Sequence, residues 1–284
     1  MLEKCGAGTN IEPITRVLAG SVFFGGLSMA EYNTIRTSAG ARSAEIDQGL
    51  LAHMNKVYST MSVGLLITFA AAWAIGSLTV SAEPTQYMIG QGRYLTDLGA
   101  TLFASPLKWV LMFLPLAMVF LFGAMINKLS AAGAQAFFYV FAAAMGLSIS
   151  WIFIAFSMGS IAQVFLITSI AFAGLSLWGY TTKKDISGWG SFLIMGVIGL
   201  IVASIVNIFL ASSALMFAIS AIGVLIFAGL TAYDTQKIKT EYLAHAHHGD
   251  TEWLGKAAIM GALSLYLDFI NMFMMLLSLF GNRE

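Results

Sequence analysis

Seven runs of about twenty apolar residues, each closed by a polar or helix-breaking stretch, leave this chain few folds to choose from. They are Val57–Val80, Leu107–Ile126, Ala134–Ala155, Gly159–Gly179, Gly190–Leu210, Ala214–Tyr233 and Ala257–Phe280. A helix of about 20 apolar residues crosses a hydrocarbon core of about 30 Å, and none of the runs alternates as barrel strands must. The expected fold is therefore an all-α polytopic membrane protein with seven transmembrane helices. Composition agrees, with 58% of the 284 residues hydrophobic and 10% charged, where a soluble domain carries about a quarter. The net charge of zero removes the basic surface that nucleic-acid binding needs. A lone cysteine, Cys5, makes no intrachain disulfide and leaves the redox compartment open. The separators read SAEPTQ, NKLSAAG, TTKKDISG and the long TQKIKTEYLAHAHHGDTEWLGK, while ASS before the sixth run implies a tight helical hairpin. No fixed period marks a repeat.

Orientation follows the bias of Lys and Arg between the two sides. With the N-terminus cytoplasmic, that side collects eleven basic residues (Lys4, Arg16, Arg36, Arg42, Lys56, Lys128, Lys183, Lys184, Lys237, Lys239 and Lys256) and the other side three (Arg93, Lys108 and Arg283). The C-terminus is then outside. Residues 1–56 are expected as a cytoplasmic tail and 57–284 as the seven-helix domain. Leu18–Ala30 is too short and Gly-rich to span. It is a weak signal-like segment, an interfacial helix, or translated sequence upstream of a true start at Met29, and MAEYNTIRTSAG favours the last. In that case 31–56 is a short, polar, mobile tail, and intact mass of the native protein decides the start.

Across the seven spans two ionisable residues stand out apart from those at the boundaries: Asp268, well inside the seventh, and Asp234, at the end of the sixth. A carboxylate at mid-bilayer costs about 2.5–3.5 kcal/mol on insertion scales, so it is expected to face a bundle interior or wet cavity and to serve function. The structural alternatives are an Asp268 hydrogen-bonded to a neighbouring helix and an Asp234 that marks the helix end at the headgroups. Antiparallel sixth and seventh helices put both residues toward the same side. They meet only if the seventh helix starts outside the core or tilts. Two adjacent carboxylates resist double ionisation and tend to share a proton, which makes a pH-sensitive clasp. Oxygen ligands also suit Ca²⁺, although two carboxylates fall short of its six to eight. Asn271, on the same helix face as Asp268, and Thr235 and Gln236, beside Asp234, are the candidates to add oxygens.

GLTAYDTQKI (229–238), HGD (248–250) and LYLDFINMF (265–273) together resemble the signature of the transmembrane Bax inhibitor motif family, including its bacterial YccA-type members. The likeness covers roughly residues 50–284 in layout, and its specific part lies in the last two helices. It implies six helices around a central seventh, a bacterial inner-membrane location, and a pH-sensitive Ca²⁺ leak controlled by an aspartate pair that maps to Asp234 and Asp268. The family also has a basic latch from the second helix. Its nearest counterpart here is Lys128, which lacks the bidentate fork of Arg. Some bacterial members are associated instead with a membrane-bound AAA protease. The resemblance thus leaves open a non-transporting regulator bound to such a protease. Proton-coupled cation exchange stays open on general grounds.

Enzymatic readings find little foothold. An intramembrane aspartyl protease would pair AYD, ending at Asp234, with Gly-x-Gly-Asp, but Asp268 follows Leu265, Tyr266 and Leu267, and all four prolines precede the third span. Hydrolase and nucleotide motifs are missing, so no cofactor is expected. His245, His247, His248, Asp250 and Glu252 read as a solvated loop before a transition-metal site. Ala142, Gly146 and Ser150 read as close helix packing, Asn207 as an interhelical hydrogen bonder, and Trp109, Trp178 and Trp189 as interfacial anchors.

Overall fold

A computed structural model describes residues 29–81, 83–90, 93–246 and 250–282. The chain divides into two units, Met1–Gln48 and Gly49–Glu284. In the first, the described residues from Met29 are helical; the expectation about 1–28 lies outside the described residues. Among the described residues seven helices are long and apolar enough to cross a membrane, the first of them Glu45–Thr79.

Helix α1 runs Met29–Thr79. A three-stranded antiparallel sheet follows, with β1 (Val80–Ser81), β2 (Tyr87–Gly90) and β3 (Arg93–Leu95) in the order β1-β3-β2. The short α2 (Asp97–Gly99) continues into a π-helical turn, Ala100–Ala104. Next come α3 (Leu107–Met125), α4 (Ala131–Ile149), the single turn α5 (Ile152–Ala155), α6 (Met158–Thr181), α7 (Trp189–Leu210), α8 (Ser213–His245) and α9 (Thr251–Phe280). The third span is α4 and α5 together, with a break at Ser150–Trp151.

Helix ends carry the residues that satisfy their free N–H groups. Ser130 caps α4, Ser157 caps α6, Ser212 caps α8 and Asp250 caps α9. Glu252 in the first turn of α9 accepts from the Ala131 N–H at 2.7 Å, so α9 also supplies an anion to the positive end of α4. At the other end, Ser157 N–H donates to the Asn282 carbonyl at 3.2 Å and Asn282 N–H to Ser160 Oγ at 2.9 Å. These two bonds tie the end of α9 to the start of α6.

Helix α9 is the buried centre: 56% of its most apolar window is covered, against 17–39% in the other six. It packs against α4, α6 and α8 and reaches α1 through Tyr266. Helices α3 and α7, the least buried at 17%, lie on the outer faces of α4 and α8. Close approaches use small residues. A Cβ on Gly146 would drive into the Thr68 carbonyl oxygen, and one on Gly179 into that of Ala232. Ala142 on the same helix and Ser150 at its C-cap are fully buried too, so the small-residue stripe is a packing seam.

Three stretches read from sequence as loop or tail are ordered. Residues 31–56, expected as a polar mobile tail, are helix. They contain no proline and two glycines, Gly40 and Gly49, and Leu50, Met54, Val57 and Met61 form one buried face at helical spacing. Most of the expected loop between the sixth and seventh spans is also helical: α8 runs to His245 and α9 begins at Thr251, because TQKIKTEYLAHA holds no breaker. The SAEPTQ connection belongs to the sheet region, where Tyr87, Met88, Ile89 and Tyr94 favour strands.

Candidate functional site

The register of α8 against α9 decides whether the two aspartates meet. Ile238 stands against Gly261 and Met275 against Gly223. In that antiparallel register residue 268 falls opposite 230–231, so Asp234 lies about one helical turn from the level of Asp268, roughly 5 Å along the axis. At 30 residues α9 is about 45 Å long, longer than a core of about 30 Å requires, which leaves room for its first turns outside the core. Nor does Asp234 mark a helix end, because α8 continues for three turns beyond it.

Asp268 is 4% exposed, and among the described residues its Oδ2 has no hydrogen-bond partner. A buried polar atom without a partner is costly. Asp234 is half-buried on α8. The hydroxyl at the level of Asp268, that of Thr231, is turned back onto the Phe227 carbonyl at 2.8 Å. A carboxyl group from each of two adjacent helices thus stands within about one helical turn of the same level.

The expected helpers do not gather there. Asn271 donates from Nδ2 to the Leu267 carbonyl of its own helix at 2.8 Å. Gln236 pins the α6–α7 connection: its Nε2 donates to the Lys184 carbonyl at 2.8 Å and its Oε1 accepts from Ile186 N–H at 3.0 Å. Thr235 donates to the Thr231 carbonyl at 2.7 Å and meets Ser176 Oγ at 3.0 Å. Successive residues of a helix point about 100° apart, so Thr235 and Gln236 cannot share the direction of Asp234. Lys128 is exposed, and no ion pair joins it to Asp234 among the described residues; it sits in the turn after α3, leaving the basic latch unformed.

No cluster of three or more metal-ligating side chains occurs among the described residues. The donors around the pair are too few for a resident Ca²⁺. The histidine region is likewise divided. His245 stacks on Trp253 with ring centroids 3.9 Å apart, Asp250 caps α9, and Glu252 caps α4. His247 and His248 lie outside the described residues. Asn207 on α7 accepts from the N–H of Ser212, the N-cap of α8, at 3.0 Å, so its bond ties the two helices at their hairpin. Trp109, Trp178 and Trp189 are exposed near span ends, as interfacial anchors should be.

Two buried polar links beside the pair were not legible as such. Thr68 on α1 meets the Tyr266 hydroxyl at 2.6 Å and the Ala142 carbonyl at 2.9 Å. Tyr58 on α1 bonds Ser176, which bonds Thr235. Tyr266, two residues before Asp268, is fully buried with its ring edge-on to Phe138 and Phe141. A tyrosine inside an apolar run needs a partner, and that need was the available signal.

Known proteins carry the same framework. The chain is 44% identical to "Inner membrane protein YbhL" of Escherichia coli (strain K12) over 236 residues, 83% of this chain and 94% of that one. It is 44% identical over 240 residues to an uncharacterized protein of Caulobacter vibrioides, covering 84% and 92% of the two chains. An uncharacterized protein of Rickettsia prowazekii is 39% identical over 256 residues, 90% of this chain and all of its own. The model of the family described as "Inhibitor of apoptosis-promoting Bax1" matches residues 50–284. This seven-helix chain, a multi-pass membrane protein, belongs to the Bax inhibitor family.

Proposed function

We propose that the protein is a pH-sensitive cation leak of the inner membrane, passing Ca²⁺, with Asp234 and Asp268 as its gate. The observation that carries the proposal is the buried, partnerless Oδ2 of Asp268 on the central helix, with Asp234 one turn away on the next. A proton shared between the two carboxyl groups links α8 to α9 and holds the seam closed. Its loss leaves two like charges in a low-dielectric site, where repulsion is strong. The pair then separates or draws in a cation, and the lysine-rich end of the seam opens. No covalent bond is made or broken.

Inner-membrane placement rests on the likeness to the Escherichia coli relative and on the apolar spans. The excess of Lys on one side supports a cytoplasmic N-terminus and an external C-terminus. The test is Ca²⁺ entry into liposomes containing the purified chain, followed by an internal dye across pH. Entry rises with pH in the native protein, and the pH dependence disappears in Asp234→Asn and in Asp268→Asn. Absence of flux at every pH, with a membrane-bound AAA protease recovered in complex, assigns the chain instead to a non-transporting regulator. Flux that follows an imposed proton gradient assigns exchange.

A further inference from the structure

We infer that the lysine-rich end carries a binding pocket for the phosphate headgroup of an anionic phospholipid, between the α6–α7 connection and α8. The pocket has a volume of about 430 Å³ and is lined by Lys183, Lys184, Lys237 and Lys239, with the hydroxyls of Thr182 and Thr240 among them. Two segments far apart in sequence supply these cations. Gln236 holds them together with its two hydrogen bonds to the connection, and buried Ile186 anchors that connection from below. Lys239 is fixed as well: its Nζ donates to the Tyr180 carbonyl at 2.7 Å and lies 5.0 Å from the centre of that ring. One of its three N–H groups is used there, and the others remain to donate.

The counter-charges leave the pocket cationic. Asp185 turns its Oδ1 onto the N–H of Ser187 at 2.9 Å, and that bond holds its carboxyl below the usual carboxylate range. It remains an anion that shapes its own loop. Glu241 stands 3.9 Å from Lys237 on the exposed face of α8. Among the described residues no carboxylate pairs with Lys183, Lys184 or Lys239. Asp234, three residues before Lys237 on α8, is a third carboxylate, and four positive charges against three leave a net attraction for an anion.

Height in the membrane selects a lipid over a soluble anion. Exposed Trp178 and Trp189 bracket the connection, and exposed tryptophans mark the headgroup level. From Trp189 the outer face of α7 continues with Phe192 and Met195, 75% and 73% exposed, which gives acyl chains an apolar bed directly below. Lysines at this level draw anionic lipids electrostatically.

The test is binding, so it does not depend on ion flux. The full chain in neutral detergent is titrated with phosphatidylglycerol, phosphatidylcholine or inorganic phosphate, and bound molecules are counted by native mass spectrometry. Phosphatidylglycerol is expected to bind on the order of tenfold more tightly than phosphatidylcholine. Lys183→Gln/Lys184→Gln erases that preference. Lys56→Gln/Lys256→Gln, which removes equal charge from the same end outside the pocket, changes it less than twofold. Lys183, Lys184 and Lys56 are exposed and Lys256 is half-buried beside Glu252, so a melting curve for each variant verifies folding. Equal losses in the two double variants overturn the pocket in favour of a diffuse surface potential. Displacement of phosphatidylglycerol by millimolar inorganic phosphate overturns the lipid assignment.

Discussion

Removing one hydroxyl from the buried Thr68–Tyr266 pair should cost much less than removing the other. Thr68 Oγ1 lies 3.0 Å from the Gly64 carbonyl, 2.9 Å from the Ala142 carbonyl and 2.6 Å from the Tyr266 oxygen. Carbonyls only accept, so the single threonine proton goes to one of them, and the tyrosine O–H donates to Thr68. In Tyr266→Phe the threonine still donates, and the loss is one ordinary hydrogen bond, about 0.5–1.5 kcal/mol. In Thr68→Val the phenol is stranded in a site with no exposure, at about 1–3 kcal/mol. Measured bonds inside membranes lie toward the low end, about 0.6 kcal/mol on average. Near-isosteric replacement keeps packing constant. At about 2–4 °C per kcal/mol for a chain of this size, the threonine variant should melt a few degrees below the tyrosine variant in detergent. Equal melting points, or a lower one for Tyr266→Phe, would refute the assigned direction of donation.

Other perturbations follow from the packing. Gly146→Ala meets the Thr68 backbone and should destabilise by about 1–3 kcal/mol, whereas Gly174→Ala, which has open space around it, should be neutral or slightly stabilising in the same melt. Ala211 ends α7 at φ 48°, in the left-handed region, so Ala211→Gly should raise stability by about 1 kcal/mol. Glu252→Ala removes the carboxylate that holds the first N–H of α4 and should cost about 0.5–1 kcal/mol, detected as faster amide exchange at Ala131.

The spans were legible because lipid imposes a length and a polarity on each of them, and Asp268 stood out because a carboxylate in such a run is expensive. Helix ends were less legible. The apolar runs report where hydrocarbon begins, while hydrogen bonding carries α8 on to His245 and starts α9 at Thr251. Gln236 and Thr235 were placed with Asp234 by adjacency in sequence, but helical rotation sends one to the α6–α7 connection and the other to Ser176. Lys128 was matched by position along the chain, and position does not give reach. The Thr68–Tyr266 link spans residues far apart in sequence and becomes visible only when α1 and α9 are packed.

The central claim is that Asp234 and Asp268 act as one site, and a double-mutant cycle on Ca²⁺ entry into liposomes tests it most directly. Entry is measured across pH for the native chain, Asp234→Asn, Asp268→Asn and the combination. One shared site predicts that each single variant already abolishes the pH dependence and that the combination does nothing more. Partial and additive losses, or a pH dependence that survives removal of both carboxylates, would contradict it.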